Sequence, residues 1–347
     1  MTTANGAPDE PGTIDARRAT AADRPAVLAL LADSLGWERD STFADFFEWK
    51  HVQNPFGPSP AWVAVHDGAI VGFRTFLRWQ FEHPDGRIRH AVRAVDTATA
   101  PEFQGRGIFR RLTTAAIDEL TEEHVDFVFN TPNDNSRPGY LRMGWSTVGR
   151  LPLVARVAGI SSALRMRASR VAADRWPVET TAGEAAAAVL ADPRVNDLLA
   201  SIGAPRGLRT VKTVEHLGWR YGLASLGYRA LVLDDDPAAG LAVFRLRRRG
   251  AAIEAGISDV LVPAGARAAE RSLLRAVARQ TGADYAIRLG ATCGSSPADR
   301  LRALLPTAGF LPFPRQGPLL TWRPLADAAP VPTLAELDLA LGDVELL

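Results

Sequence analysis

The sequence predicts an α/β (α+β) protein in which a mixed, mostly antiparallel twisted sheet flanked by helices occurs twice in tandem along 347 residues. Three observations carry this. Short β-branched and aromatic runs bounded by turn residues alternate with helical stretches in both halves. The elements keep the same order in the two halves. Only the first half joins a strand to an amphipathic helix through a Gln-Gly-Arg-Gly turn, at residues 92–121.

A β-prone opening at residues 14–19 leads into Thr20-Ala21-Ala22-Asp23, a helix start, and an apolar helix to Leu35. A second helix is expected over 43–51, and Asn54-Pro55-Phe56-Gly57-Pro58 is a loop. Residues 61–65 and 69–77 read as strands joined by the hairpin signal His66-Asp67-Gly68. A turn at His83-Pro84-Asp85-Gly86 feeds the strand that ends at Thr99. A helix runs from Ile108 to about Thr121, residues 125–129 form a short buried strand, 133–143 a loop and short helix, and Gly144-Trp145 open the next strand.

The second half repeats this outline. Trp49-Lys50-His51 has its counterpart in Trp219-Arg220-Tyr221, and the hairpin 63–76 matches 231–244 with Gly72 opposite Gly240. Residues 96–101 resemble 259–263, and Tyr140-Leu141-Arg142-Met143-Gly144-Trp145 aligns with Leu305-Pro306-Thr307-Ala308-Gly309-Phe310. The spacing is about 165–170 residues, one domain per copy. The expected division is a disordered tail over 1–12, a catalytic domain over 13–152, a helical connector over 153–176 and a degenerate second copy over 177–347. Residues 339–347 read as a strand or docking tail.

Composition narrows the function. A net charge of +1 gives no electrostatic case for nucleic acid. With 47% hydrophobic and 23% charged residues the chain is of ordinary soluble type. Cys293 is the single cysteine, which excludes an intramolecular disulfide and a cysteine metal cluster, and the six histidines lack metal-ligand spacing. No apolar run has the length of a membrane span, and the first dozen residues lack the core of a signal peptide. The expectation is a cytoplasmic monomer or homodimer with no metal, nucleic acid or membrane partner.

The turn Gln104-Gly105-Arg106-Gly107 before Ile108 exposes backbone N–H groups at a helix N-terminus, where an anion with several oxygens fits. The second half has Pro263-Ala264-Gly265-Ala266-Arg267 there, so a phosphate-bearing ligand belongs to the first half.

Gln104-Gly105-Arg106-Gly107-Ile108 after a strand and Pro101, with Asn133, Ser136, Tyr140 and Gly144-Trp145 downstream, resembles the GNAT (Gcn5-related) N-acetyltransferase superfamily, in its tandem two-domain form. The detailed match covers about residues 14–152. Phe109 departs from the pattern, which has glycine or alanine there. The resemblance implies acetyl-CoA as acyl donor and the primary amine of a small molecule as acceptor. By it, the amides of Gly105, Arg106, Gly107, Ile108 and Phe109 hold the pyrophosphate, Gln104 shapes the loop, and Arg106 or Arg110 adds charge. Thr97, Ala98 and Thr99 pair with the pantetheine arm, Asn133 contacts the cofactor, and Tyr140 protonates the departing thiolate. Asp96, Glu48, His51 and a water relay are candidates for the general base. Two other readings stand beside this one: a non-catalytic acyl-CoA-binding module and a Fem-type aminoacyl transferase.

Overall fold

The computed structural model describes residues 13–169, 171–290, 308–313, 315–327 and 329–345. The expected tail over 1–12, Cys293, Leu305 to Thr307 of the second Tyr140-like motif, and residues 346–347 lie outside them. The first half runs β1 (Asp15–Arg18), α1 (Arg24–Leu35), α2 (Ser41–His51), β2 (Ala61–His66), β3 (Ala69–Glu82), β4 (Ile88–Thr99), α3 (Ile108–Glu122), β5 (Phe127–Asn130), α4 (Arg137–Arg142) and β6 (Ser146–Arg150). Local chemistry sets these bounds. Asp40 accepts from the Phe43 amide and caps α2, while α1 carries proline in its first turn and stops at Gly36 in the left-handed region.

The chain continues through β7 (Leu153–Val157), α5 (Ile160–Ala168), β8 (Glu184–Ala185), α6 (Ala186–Leu190), α7 (Arg194–Ser201), β9 (Arg209–Thr210) and α8 (Val214–Gly222). It ends with β10 (Arg229–Val232), β11 (Leu241–Arg249), β12 (Ala252–Leu261), α9 (Arg267–Gln280), β13 (Tyr285–Leu289), β14 (Leu311–Pro312), β15 (Leu319–Pro324) and α10 (Leu341–Val344).

Among the described residues the strands form two mixed sheets flanked by helices, with orders β1-β2-β3-β4-β5-β15-β6 and β14-β7-β13-β12-β11-β10-β8, β9 adding to β3. Each sheet contains an antiparallel hairpin, β3–β4 or β11–β12, followed by a helix and a parallel strand, β5 or β13. Each also receives one strand from the other half. β15 lies between β5 and β6, and β7 lies between β13 and β14. The segment expected as a helical connector therefore opens with a strand of the second sheet and becomes helical only at α5. The reason is a long-range one, since β7 pairs with β13 along five residues.

The apolar core is continuous across both halves. One cluster packs α1, α2 and α3 on the first sheet, and another joins Trp79, Phe81 and Phe129 to Tyr285, Leu320 and Leu341. Trp49 and Trp219 stack at 5.3 Å between centroids, and each indole N–H donates to the other residue's carbonyl, at 2.6 and 2.7 Å. No helix among the described residues is long and apolar enough to cross a membrane, and no described group of three His, Cys, Asp or Glu side chains could hold a metal ion.

Candidate functional site

Strands β4 and β5 pair over three rungs only, Ala91 to Arg93 against Phe127 to Phe129. β5 pairs with β15 along its other edge, and residues 94–99 present a free backbone edge on the β5 side of β4. A cavity of about 1050 Å³ opens beside this edge. Asp96, Thr97, Ala98, Thr99, Gln104, Gly105, Gly107, Ile108, Phe109, Arg110, Asn133 and Tyr140 all line it. Arg106 does not, and its guanidinium lies 4.9 Å from the Phe103 ring centroid instead.

The glycine turn is built for a close anion. Gly105 and Gly107 have φ of 77° and 75°, and a Cβ on either would meet nothing within 4 Å, so open space lies over the loop. The amides of Gly105, Arg106 and Gly107 donate to no described backbone group, and no side chain caps α3. The first-turn amides of α3 also have no acceptor within the helix. Gln104 ties the turn to the end of β4 by donating to the Thr99 carbonyl at 3.4 Å. Gly72 on β3 lets this helix end come close, because a Cβ there would lie 2.5 Å from an Ile108 methyl.

Tyr140 is 4% exposed, at the opposite wall of the cavity. Asn133 sets the turn before its helix, its Oδ1 accepting from the amide and the hydroxyl of Ser136, both at 2.9 Å. The Phe109 ring faces inward, meets Tyr140 edge-on at 5.4 Å, and comes within 3.1 Å of where a Gly139 Cβ would stand. The pattern's small residue is thus replaced by a ring that braces Tyr140 from the side of α3.

Asp96 occupies a bulge in β4, where the register against β3 slips between Phe73 and Thr75, and it holds a left-handed φ of 38°. Its carboxylate receives Lys50 Nζ and His51 Nε2, both at 2.8 Å, in a buried cluster. Burial raises its proton affinity, but the Lys50 ammonium and the His51 bond outweigh this and hold the carboxyl well below the usual range. Burial also lowers the pKa of His51 despite Asp96, so the ring is neutral. With Asp96 ionised, Nε2 carries the proton and Nδ1 accepts from Ser59, 3.1 Å away.

Sequence reasoning missed two parts of this site. The Lys50 contact joins residues from separate elements and has no local signature. Arg74, which lines the cavity and donates to the Thr97 hydroxyl, does leave a trace: a lone charge within the apolar β3 run Val71-Gly72-Phe73-Arg74-Thr75-Phe76-Leu77.

Residues 15–148 match the model of the acetyltransferase (GNAT) domain. They form a GNAT domain. Structures of similar fold include a probable N-acyltransferase from Enterococcus faecalis V583, 13% identical with a TM-score of 0.62 over 90% of this chain and 73% of that one. A GCN5-related N-acetyltransferase from Kribbella flavida is 17% identical with a TM-score of 0.57, covering 90% of this chain and 72% of that one. Eis1 from Mycobacterium abscessus is 15% identical with a TM-score of 0.54, covering 90% and 74%. No curated protein matches the chain. The matched GNAT domain contains every residue of the cavity wall, from Ser34 to Met143.

Proposed function

We propose that the chain is an acetyl-CoA-dependent N-acyltransferase acting on the primary amine of a small molecule, with its active site in the GNAT domain. One observation carries this reading. Two adjoining segments, the free edge of β4 and the glycine turn, and a third from further along the chain, the Tyr140 helix, converge on one cavity of about 1050 Å³. The amides of residues 105–109 hold the pyrophosphate of the donor, and the β4 edge aligns its extended arm. The amine nitrogen bonds to the acyl carbon as the C–S bond breaks. Tyr140 supplies the proton that the leaving sulfur takes up, and the amine releases one proton. Backbone N–H groups at the β4 bulge meet the negative charge that builds on the acyl oxygen. Asp96, already ionised and held by Lys50 and His51, fits the task of fixing this bulge better than that of accepting the amine's proton.

The test is release of free CoA from acetyl-CoA across a panel of amines. Tyr140→Phe is expected to slow release by on the order of 10²-fold while acetyl-CoA still binds. Tight acetyl-CoA binding with no turnover on any amine would overturn the reading in favour of a non-catalytic acyl-CoA-binding module.

A further inference from the structure

The cavity wall contains a buried cation that neither the fold nor the chemistry above employs. Arg74 is 1% exposed, and its Nη1 donates to the Thr97 hydroxyl. Nε and Nη2, the side-on edge of the guanidinium, are buried without a hydrogen-bond partner among the described residues. Its neighbours are rings, with Phe76 at 4.5 Å and Phe109 and Tyr140 each at 5.3 Å from centroid to guanidinium carbon. Aromatic faces offset part of the desolvation of a cation but accept no pair of parallel N–H bonds. Other deeply buried arginines reach strong acceptors: Arg93 the Asp343 and Val344 carbonyls, Arg220 the Gly342 and Glu345 carbonyls, and Arg245 the Glu345 carboxylate.

The second half shows that the fold does not need this arginine. The rung of β11–β12 that corresponds to Arg74 and Thr97 pairs Ala242 with Val260. A guanidinium and a hydroxyl therefore occur in the half that has the Gln-Gly-Arg-Gly turn, and a methyl and an isopropyl group stand in the half without it.

We propose that Arg74 receives a carboxylate at the acyl end of the cavity. Its side-on edge carries two parallel N–H donors at the spacing of carboxylate oxygens. Because that edge is covered in this structure, a carboxylate reaches it as the flanking Phe109 and Tyr140 rings give way. The carboxylate comes from one of two sources: an acyl chain that ends in one, as succinyl does, or an amine acceptor that carries one beside its nitrogen. The transfer keeps the same balance in either case, with C–N formed, C–S broken and the Tyr140 proton on sulfur. This assignment rests on the acyl-CoA reading of the cavity.

The experiment uses the full chain. Acetyl-CoA and succinyl-CoA are compared by calorimetry and turnover, and an α-amino acid is compared with its decarboxylated amine as acceptor. A preference for the carboxylate-bearing member is expected in one arm, which identifies the source. Arg74→Gln lowers that preference ratio by on the order of 10²-fold, and Arg74→Lys retains part of it. No preference in either arm, with acyl-CoA bound and turned over, overturns the Arg74 assignment alone. No binding of any acyl-CoA overturns the reading beneath it as well. Arg74→Met separates ligand recognition from a structural role: the ligand-free melting temperature stays level or rises, and a clear fall overturns the assignment.

Discussion

The two halves solve the same backbone problem and differ in what they leave open. Each has a hairpin whose second strand bulges, and each buries an aspartate there, Asp96 or Asp259. Lys50 pairs with Asp96 and Lys212 with Asp259. These are the only lysines among 40 lysines and arginines, used where a compact ammonium fits and a planar fork does not. A second donor completes each cluster, His51 Nε2 in the first and the Tyr221 hydroxyl in the second. The lysines come from different positions, Lys50 inside α2 and Lys212 ahead of α8, so the shared element is the held carboxylate. That a half without the Gln-Gly-Arg-Gly turn keeps it argues that the cluster serves the bulge, and that the chemistry lies in what only the first half has.

The sharpest way to break this comparison is to block both turns alike. Gly107 and Gly265 have φ of 75° and 79°, so valine is strained at either. Gly107→Val also fills the open space over the turn, where the proposed reading puts the phosphate, and acetyl-CoA affinity is expected to fall by more than about 10²-fold, since several charge-assisted bonds are lost together. Gly265→Val leaves that affinity within about twofold, the cost falling on stability. Equal losses of affinity, measured by calorimetry, would show that both turns serve the ligand.

The next test addresses the aspartates. Asp96→Asn and Asp259→Asn each take the ionised carboxylate away from a buried ammonium, a loss of about 3–5 kcal/mol in urea unfolding. If the clusters share a structural role, the two values agree to within about 1 kcal/mol, and the Asp96→Asn enzyme keeps the pH profile of the parent. An acidic limb of that profile lost only with Asp96→Asn would return Asp96 to the role of proton acceptor.

How much of this was legible in the sequence follows the range of the interactions. The glycine turn, the hairpins and the Tyr140 helix are written locally, in residues whose own φ preference or capping sets the backbone. Asp96 is visible as a repeated residue, but its partners are not, because α2 meets β4 only through the tertiary fold. The exchange of β7 and β15 was the least legible feature. Leu153-Val154-Ala155-Arg156-Val157 is β-prone, yet nothing in it states which sheet it joins, and the Arg- and Ala-rich stretch that follows reads as helix. Arg74 was legible as an oddity and not as a site, since its meaning depends on Thr97, Phe109 and Tyr140 closing around it.

The seam between the halves has its own pH sensitivity. His216 on α8 stacks on Phe56 at 4.8 Å and lies against Trp79 and Trp219, with neither ring nitrogen hydrogen-bonded among the described residues. Burial, reinforced by Lys212 and Arg220, pushes its pKa down to about 3. The fold thus favours the neutral ring, and the unfolded chain takes up its proton first as pH falls. Stability is fully present above about pH 6.5 and declines from there toward pH 3, by up to about 5 kcal/mol from this residue. His216→Phe keeps the stack and removes the titration, so its unfolding free energy flattens over that window relative to the parent. Parallel curves would mean that His216 gains a partner on protonation.

The smallest expected effect tests the symmetry of the seam itself. Trp49 and Trp219 each donate an indole N–H to the other's carbonyl across a stack of 5.3 Å. Trp49→Phe and Trp219→Phe each keep most of the ring area and leave one carbonyl without its donor. The expected cost is about 1–2 kcal/mol for either variant, because an acceptor is left unpaired rather than a cavity opened. The double variant is expected to cost less than the two singles added together, as the stack they share weakens only once. Single costs that differ by more than about 1 kcal/mol would show that one half anchors the seam and the other leans on it. In that case the interlock would rest mainly on the exchanged strands β7 and β15, and the tryptophan pair would be a consequence of their pairing.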